Sequence, residues 1–265
     1  DFCREKNLFL IEDCCDALGS EYNGKKLGTF GDLATFSFYP AHHITMGEGG
    51  AVTTSNSELY KVMLSLRDWG RDCFCPTGEN KTEGACGKRF EWNFKDLPEG
   101  YDHKYVYSRI GYNLKPLDLQ CAIGIVQLKK LDLFTKKRRE NFNKLFEIFK
   151  PYEKYFILPK SQKDSIPSWF AFPLTVRDKS FFSRKEFVEY LEKNLIETRP
   201  IFAGNILRHP GYKNIPHRIA DTLKNSDTVL YNSFFIGVYP GITQQHISYI
   251  KKVVDKFFKK INASY

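Results

Sequence analysis

The sequence predicts an α/β fold, with a mixed and mostly parallel sheet in its first part and a smaller α+β domain after it. Short apolar runs alternate with helical periodicity at the start of the chain, which is typical of a parallel sheet covered by helices. The pattern changes near Pro151, where strands and helices follow in a different order. We therefore expect one domain over residues 1–133 and a smaller C-terminal domain over residues 134–265.

Three short apolar runs predict the strands of the first domain, at residues 8–11, 34–39 and 50–54. The first looks like a buried strand and ends in Glu12-Asp13. Residues 57–69 then place Leu59, Val62, Met63 and Leu66 on one face, so they predict a helix. Two more helices are expected over residues 116–131 and 135–149.

Residues 70–110 interrupt this alternation, because they are rich in Gly, Cys, Pro and aromatic residues and show little periodicity. A long irregular stretch inside a compact domain is usually functional. We interpret it as a cysteine-bearing loop insertion.

The second domain is predicted from a strand at residues 168–176, a helix opened by the capping box Ser183 and Glu186, and a strand at residues 197–202. Residues 243–260 predict a terminal amphipathic helix. The net charge is +9, but the lysines of this last helix alternate with an apolar face, which favours a solvated helix over a nucleic-acid interface.

The composition argues against a membrane protein, because no apolar run reaches the roughly 20 residues that a membrane-spanning helix needs. No secretion signal is visible, so we expect a cytoplasmic location. Seven cysteines are an odd number, and in that setting they indicate metal or redox chemistry rather than a disulfide framework. The chain starts so close to a predicted strand that we expect it to be the C-terminal piece of a longer protein.

Two short segments carry candidate chemistry. Glu12-Asp13 ends a strand, where a carboxylate can pair with a cationic ring nitrogen, although a helix N-cap would use the same residues. Residues 37–50 begin with Ser37, whose hydroxyl suits a phosphate, and contain the adjacent histidines His42 and His43. Adjacent side chains diverge, so this pair is interpreted as structural or as a proton shuttle rather than a shared metal site.

These segments together resemble the sugar aminotransferase family of fold type I vitamin B6 enzymes. The resemblance runs from Ile11-Glu12-Asp13 through Gly28–Asp32 and residues 37–50, and continues at residues 111–115 and 198–200. Members usually carry a Schiff-base lysine where this chain has His42. Imidazole cannot form that bond but can move protons near neutral pH, and a histidine here is similar to the 3-dehydratase branch of the family.

The resemblance implies an aspartate-aminotransferase-like fold and a pyridoxamine 5'-phosphate (PMP) or pyridoxal phosphate (PLP) cofactor. It implies C3 dehydration of a nucleotide-linked 4-keto-6-deoxyhexose, with CDP-4-keto-6-deoxyglucose as the expected substrate, towards a 3,6-dideoxysugar of lipopolysaccharide. His42 would be the base. By the same resemblance Asp13 pairs with the pyridine nitrogen and Ser37 contacts the phosphate. Further roles are expected near the cofactor for Asp16, at the phosphate across a homodimer interface for Asn113, and at the substrate or within the small domain for Arg199.

The cysteine-bearing members of that branch hold a [2Fe-2S] cluster, and three of the four cysteine positions match here. Cys15 and Cys73 are separated by 57 residues and Cys73 and Cys75 by one, whereas ten residues rather than seven separate Cys75 from Cys86. The flanking residues 87–90 and 100–105 also resemble these members. The expected ligands are Cys15, Cys73, Cys75 and Cys86, with an NADH-dependent flavin or iron-sulfur reductase as partner. Four thiolates would equally suit structural zinc, and buried apolar cysteines are the simplest alternative.

Three other functions stay open from the sequence. A cluster-free dehydratase of the GDP-4-keto-6-deoxymannose type would regenerate its amine from glutamate. A plain aminotransferase is disfavoured by His42. An inactive truncated fragment is the alternative that is not an enzyme.

Overall fold

The computed structural model describes residues 1–73, 75 and 86–263, so part of the cysteine-bearing segment, residues 74 and 76–85, lies outside the described residues. The chain divides into two compact units. The first combines residues 1–15 with residues 28–128, and the second combines residues 16–27 with the chain from Lys129 onward. The first unit ends at Leu128, close to the expected boundary after residue 133, and residues 16–27 group with the second unit.

Seven α-helices and ten strands make up the described chain, together with short 3₁₀ turns that include His103–Tyr105. The helices are α1 (Phe2–Glu5), α2 (Ser57–Arg67), α3 (Asp118–Leu128), α4 (Leu131–Phe149), α5 (Arg184–Lys193), α6 (Lys224–Asn232) and α7 (Gln244–Ala263). The strands are β1 (Ile11–Asp13), β2 (Glu21–Tyr22), β3 (Lys25–Lys26), β4 (Leu33–Ser37), β5 (Gly50–Thr53), β6 (Phe156–Ile157), β7 (Ser165–Ile166), β8 (Ala171–Val176), β9 (Thr198–Arg199) and β10 (Ser233–Gly237).

The first unit contains a three-stranded sheet in the order β1-β4-β5. β1 and β4 are parallel, with Asp13 opposite Thr35, whereas β4 and β5 are antiparallel, with Ser37 opposite Gly50. The expectation of a buried first strand is wrong for the described chain, since Phe9 is 77% exposed and Ile11 is exposed as well. The reason is that β4 is the one described strand beside β1, which leaves the other edge of β1 open.

The second unit holds the main hydrophobic core around an antiparallel sheet in the order β6-β8-β10-β9. Helices α4, α5 and α7 contribute apolar side chains to this core, among them Phe149, Phe187 and Phe258. The predicted capping box is confirmed, because the Ser183 hydroxyl accepts the Glu186 amide and the Glu186 carboxylate accepts the Ser183 amide. β9 is shorter than expected, since Pro200 has no amide hydrogen with which to continue the ladder.

The helices of the two units differ in how far their apolar side chains are buried. α7 buries Val253, Val254, Phe257 and Phe258 and exposes its lysines, as the sequence predicts. α3 in the first unit buries no residue at all, although it is rich in leucine, isoleucine and valine. No described helix combines the length and the apolarity needed to cross a membrane.

Candidate functional site

Glu12 and Asp13 are neighbours in β1, and alternation along the strand gives their carboxylates separate tasks. The Glu12 carboxylate accepts hydrogen bonds from the amides of Gly28, Phe30 and Gly31 at 2.7–2.8 Å. It therefore holds the turn that leads into β4. Glu12 is thus a structural residue.

The Asp13 carboxylate is fixed at the end of β1 by two donors. The Cys15 amide donates to Oδ1 at 3.1 Å, and the Thr35 hydroxyl donates to the same oxygen at 3.3 Å. Hydrogen bonds from Cys15 are the main reason that the pKa of Asp13 lies below its ordinary value, with a further contribution from the charge of His42. A turn rather than a helix follows Asp13, so the N-cap interpretation is wrong. An exposed, anionic carboxylate here suits a cationic ring nitrogen.

His42 lies in the loop that joins β4 to β5, just beyond Ser37. Its amide donates to the Tyr39 carbonyl at 2.9 Å, and its ring meets the Tyr39 ring edge-on at 5.8 Å between centroids. His43 is only 3% exposed, whereas His42 is half-buried. The structure thus distinguishes the two histidines: His42 is half-buried and its charge acts on Asp13, whereas His43 packs inside the unit.

The glycines after His42 keep this loop closed against β4. The Phe38 amide donates to the Gly49 carbonyl at 2.8 Å, and the Met46 amide donates back to Phe38 at 2.9 Å. A Cβ atom on Gly50 would lie 2.7 Å from the Phe36 carbonyl oxygen, so a larger residue would push the strands apart. Ser37 is half-buried at the start of the same loop, and its hydroxyl accepts the Tyr39 amide at 3.4 Å.

Asn113 is exposed and lies beside the end of α2, where it forms an isolated bridge with Asp68. The Arg67 side chain donates twice to the Asp68 carboxylate at 2.8 and 2.9 Å, which holds the pKa of Asp68 below its usual value. A Cβ atom on Gly70 would fall 1.8 Å from the Arg109 carbonyl oxygen, so the chain can pass here only with glycine. The segment that carries Asn113 is therefore firmly anchored.

Asp16 and Arg199 belong to the second unit. Asp16 lines a cavity of about 590 Å³ whose wall is mostly apolar and includes Trp169, Phe170 and Phe202. Arg138, only 4% exposed, donates to the Phe170 carbonyl at 3.0 Å. Burial lowers the pKa of Arg138 to about 10, and the charge of Asp16 opposes that change. The sequence analysis identified Asp16 but not the aromatic wall of this cavity.

Arg199 is exposed in β9 rather than directed into that cavity wall. Its guanidinium donates to the Thr198 carbonyl at 2.9 Å and pairs with Glu197. These contacts are local, and they support the small-domain role that the sequence left open for Arg199. A role at the substrate stays a prediction.

Three of the four predicted cysteine ligands come together in the first unit. The thiol of Cys75 shares hydrogen bonds with Cys86 and Cys73, and burial, followed by these two contacts, raises the pKa of Cys75 to about 12. Cys15 is placed differently: its sulfur lies 3.8 Å from the Thr35 hydroxyl and its amide binds Asp13. Among the described residues Cys15 is not part of the group of ligand atoms formed by Cys73, Cys75 and a histidine.

That histidine is His103, which the sequence analysis did not select as a site residue. One of its ring nitrogens and the sulfurs of Cys73 and Cys75 all lie within 4.8 Å of one another, and its Nε2 is 3.2 Å from the Cys86 sulfur. His103 is fully buried, and this burial lowers its pKa, which favours the neutral ring. The available signal was its position in the segment 100–105, which already resembled the cysteine-bearing members.

Comparisons with known proteins identify one matching family and several similar proteins. The sequence profile of the DegT/DnrJ/EryC1/StrS aminotransferase family matches residues 1–256. The lipopolysaccharide biosynthesis protein RfbH of Salmonella typhimurium is 48% identical over 252 residues, which cover 95% of this chain and 57% of that protein. The dTDP-4-dehydro-2,6-dideoxy-D-glucose 3-dehydratase of Saccharopolyspora spinosa is 48% identical over 260 residues, covering 98% of this chain and 55% of that protein. The chain thus spans a little more than half the length of these relatives.

Solved structures match the fold along nearly the whole chain. Escherichia coli GDP-4-keto-6-deoxy-D-mannose-3-dehydratase with bound hydrated PLP superposes with a TM-score of 0.80 at 31% identity, covering 95% of this chain and 61% of that one. Helicobacter pylori PseC, an aminotransferase involved in the biosynthesis of pseudoaminic acid, gives a TM-score of 0.78 at 26% identity, with 98% and 62% covered. The predicted aminotransferase-like α/β fold is confirmed.

Proposed function

Because the chain belongs to the DegT/DnrJ/EryC1/StrS aminotransferase family, we propose that the protein of which it forms part dehydrates a nucleotide-linked 4-keto-6-deoxyhexose at C3, with PMP as cofactor. The resemblance inferred from the motifs is confirmed by this membership. The observation that carries the proposal is His42, a proton-transfer group that stands where the family resemblance expects lysine and lies within electrostatic range of Asp13. The names of the 3-dehydratase relatives support the same reaction.

The residues of the first unit fit the cofactor. PMP, when bound, supplies an amine for the C4 ketone of the sugar and a ring that accepts electrons. Asp13 holds a proton on the ring nitrogen, because its carboxylate is fixed by Cys15 and Thr35 and stays anionic. Ser37 offers its hydroxyl to the phosphate, and Asn113 is proposed to do so from a second copy of the chain. Asp16 belongs to the second unit, and its expected role near the cofactor stays a prediction.

His42 is proposed to take one proton from the C4' carbon of the cofactor. The same imidazolium can then return that proton to the departing C3 hydroxyl, so that one molecule of water leaves and the base is restored. An imidazole can take up a proton and then return it, so the same side chain serves both steps.

Completion of the 3-deoxysugar needs two electrons and two protons, and we propose that NADH and one proton supply them through a partner reductase. A [2Fe-2S] centre at Cys73, Cys75 and Cys86 would pass the electrons singly, since the hydride donor delivers a pair and the cluster carries one. The support is the gathering of these three cysteines in the first unit. Cys15 remains the fourth ligand expected from sequence spacing.

The cysteine pattern favours CDP-4-keto-6-deoxyglucose as the substrate. The relatives leave this choice open at the level of the nucleotide, because their names include dTDP-linked and GDP-linked sugars. A panel of CDP-, dTDP- and GDP-linked 4-keto sugars, compared by kcat/KM, would identify the nucleotide. We expect the CDP-linked sugar to be used best.

A homodimer is proposed because α3 leaves large apolar side chains exposed in the first unit. Leu119, Ile125 and Val126 are each more than half exposed, and exposed patches of this kind usually mark interaction surfaces. Sedimentation velocity across a range of concentrations tests this. A mass that stays monomeric at every concentration would contradict it.

Replacement of His42 tests the proposed base. With PMP and the ketosugar supplied, His42→Asn should reduce dehydration by about 10²- to 10⁴-fold, measured by mass spectrometry of the sugar, while PMP affinity changes little. His217→Asn is the matched control, because His217 is exposed and distant in sequence from the candidate site. Wild-type turnover in His42→Asn would exclude His42 as the base.

Analysis of iron and acid-labile sulfide separates the proposed reaction from the cluster-free alternative. The proposal expects both elements in the purified protein and no dependence on glutamate. The GDP-sugar type of dehydratase expects neither element, and glutamate would then sustain turnover. If the enzyme depends on glutamate and contains no iron, the proposed role of His42 stands and the proposed reductase partner is excluded.

A further inference from the structure

Thr35 lies on the central strand of the sheet in the first unit, directly opposite Asp13. β4 runs between β1 and β5, and its register pairs Thr35 with Asp13 on one side and with Val52 on the other. Paired residues of neighbouring strands direct their side chains to the same face of a sheet. The Thr35 hydroxyl and the Asp13 carboxylate therefore meet on one face.

The side chain and the main chain of Thr35 both hold the end of β1. The hydroxyl donates to Asp13 Oδ1 at 3.3 Å, and the carbonyl accepts the Cys14 amide at 2.9 Å. The Cys15 amide donates to the same carboxylate oxygen at 3.1 Å. Two donors on one oxygen restrict the carboxylate, because rotation about either side-chain torsion of Asp13 would misalign at least one of these bonds.

The sheet by itself does not require the hydroxyl of Thr35. Valine has the same branched shape and is equally suited to a strand. Thr35 is half-buried, and the preceding Ala34 is only 1% exposed. A hydroxyl that is withdrawn from water needs a hydrogen-bond partner, which a methyl group does not. The acceptor of this hydroxyl is the Asp13 carboxylate, so the feature that distinguishes Thr35 from valine is directed at Asp13.

We propose that Thr35 is a positioning residue, whose hydroxyl fixes the orientation in which the Asp13 carboxylate binds the ring nitrogen of the cofactor. The inference rests on the proposed function, since it requires that Asp13 binds that nitrogen. In this role Thr35 contacts neither the cofactor nor the sugar, and it acts entirely through Asp13.

The expected effect follows from the contacts that remain when the hydroxyl is removed. Thr35→Val leaves the Cys15 amide as a donor to Asp13, so the carboxylate loses one of its two described restraints. Loss of one hydrogen bond corresponds to a change of about three- to tenfold in an equilibrium constant, and PMP affinity should fall by that factor. Thr35→Ser keeps the hydroxyl and should keep the affinity.

The first measurement needs no cofactor and uses crystals of the protein of which this chain forms part. Asp13 should occupy one rotamer in the wild type and in Thr35→Ser, and more than one in Thr35→Val. Thr53→Val is the matched control, because Thr53 is an exposed threonine of β5 in the same sheet, and it should leave Asp13 unchanged. A single, unaltered Asp13 rotamer in Thr35→Val would overturn the positioning role.

The second measurement uses PMP labelled with ¹⁵N at the ring nitrogen, whose chemical shift distinguishes a protonated ring from a bare one. The bound ring should be protonated in the wild type and protonated to a smaller extent in Thr35→Val. The double variant Asp13→Ala/Thr35→Val should bind PMP as weakly as Asp13→Ala alone, because Thr35 acts through Asp13. A further loss of affinity in the double variant would contradict the proposal.

The two proposals fail in different ways. If the ring nitrogen of PMP bound to the wild type carries no proton, the pairing with Asp13 is wrong, and the role of Thr35 is wrong with it. If the wild type shows the protonated ring and Thr35→Val matches it in rotamer, chemical shift and affinity, Thr35 alone is excluded and the pairing with Asp13 stands.

Discussion

Adjacent carboxylates in β1 show how a step of one residue changes the contacts that a side chain makes. Glu12 accepts three backbone amides of the following turn, whereas Asp13 accepts one amide and one hydroxyl and stays exposed. The two side chains point to opposite faces because strand residues alternate. Replacing each carboxylate by its amide therefore separates the two tasks.

Asp13→Asn should weaken PMP binding and dehydration by about ten- to a hundredfold, since a hydrogen bond to a charged group contributes about 1.5–3 kcal/mol. Glu12→Gln is the matched control and should instead lower the free energy of unfolding while PMP affinity is retained. PMP titration and thermal unfolding of both variants check this. Equal losses of PMP affinity would contradict the division of roles.

The pH dependence of the free energy of unfolding should show the contribution of the Asp68 carboxylate. Because the Arg67 guanidinium lowers its pKa in the folded chain, its contribution is present above the unfolded value near 3.8 and is lost as the pH falls through the lower folded value. Asp68 is partly exposed, so we expect about 0.5–1 kcal/mol. Asp68→Asn should flatten the unfolding free energy across this acidic range, measured by Trp fluorescence in denaturant titrations.

The candidate site was predictable where a residue follows a strand, and less so where loops converge. Asp13 and Ser37 were selected because strand ends collect ligands, and His42 because it stands in a motif; their roles stay predictions. Thr35 and His103 were missed, since their roles depend on which side chain lies opposite across a sheet or a loop. Sequence spacing selected Cys15 through its distance along the chain, which contains no information on the side-chain contacts that surround it.

At the scale of elements, short sequence motifs indicated helix starts correctly where their side chains accept hydrogen bonds from backbone amides. The Ser183 and Glu186 pair marked the start of α5 correctly, and Asn56 caps α2 in the same way, by accepting the amides of Glu58 and Leu59. The strand expected at residues 197–202 reduced to Thr198–Arg199 because apolar pattern alone does not count backbone hydrogen bonds. The helix at residues 116–131 was predicted, but not that α3 would bury none of its residues.

Removal of the N-cap of α5 should measurably lower the free energy of unfolding. Ser183→Ala loses the hydroxyl that accepts the Glu186 amide at 3.2 Å, and such losses reduce stability by about 1 kcal/mol. Ser161→Ala is the control, because Ser161 is an exposed loop residue of the same unit. Urea denaturation followed by circular dichroism should show a lower midpoint for Ser183→Ala alone.

At the scale of the whole molecule, burial is distributed unequally between the two units. The main hydrophobic cluster consists of residues from the second unit, with Phe149, Phe156 and Phe187 fully enclosed. The first unit buries few large side chains and exposes β1 and α3. The sequence predicted the elements of both units. It did not predict that the apolar residues of α3 would be exposed.

A core substitution should therefore affect the second unit strongly. Phe187→Ala removes a fully buried ring and should lower the free energy of unfolding by about 3–5 kcal/mol. Phe181→Ala is the matched control, since that ring is mostly exposed. Calorimetry should show the loss for Phe187→Ala only, and a similar loss for Phe181→Ala would contradict the assigned core.

The stacking of Trp92 on His103 gives the molecule an optical reporter of its own. The chain has three tryptophans, of which Trp169 stacks on Phe142 in the second unit and Trp69 lies under the Arg71 guanidinium. Trp92 has its indole 4.3 Å from the imidazole of His103, whose Nε2 is 3.2 Å from the Cys86 sulfur of the proposed centre. Indole emission at this position should be quenched as the centre fills, so the occupancy of the site can be followed by fluorescence in real time, with Trp92→Phe as the silent reference.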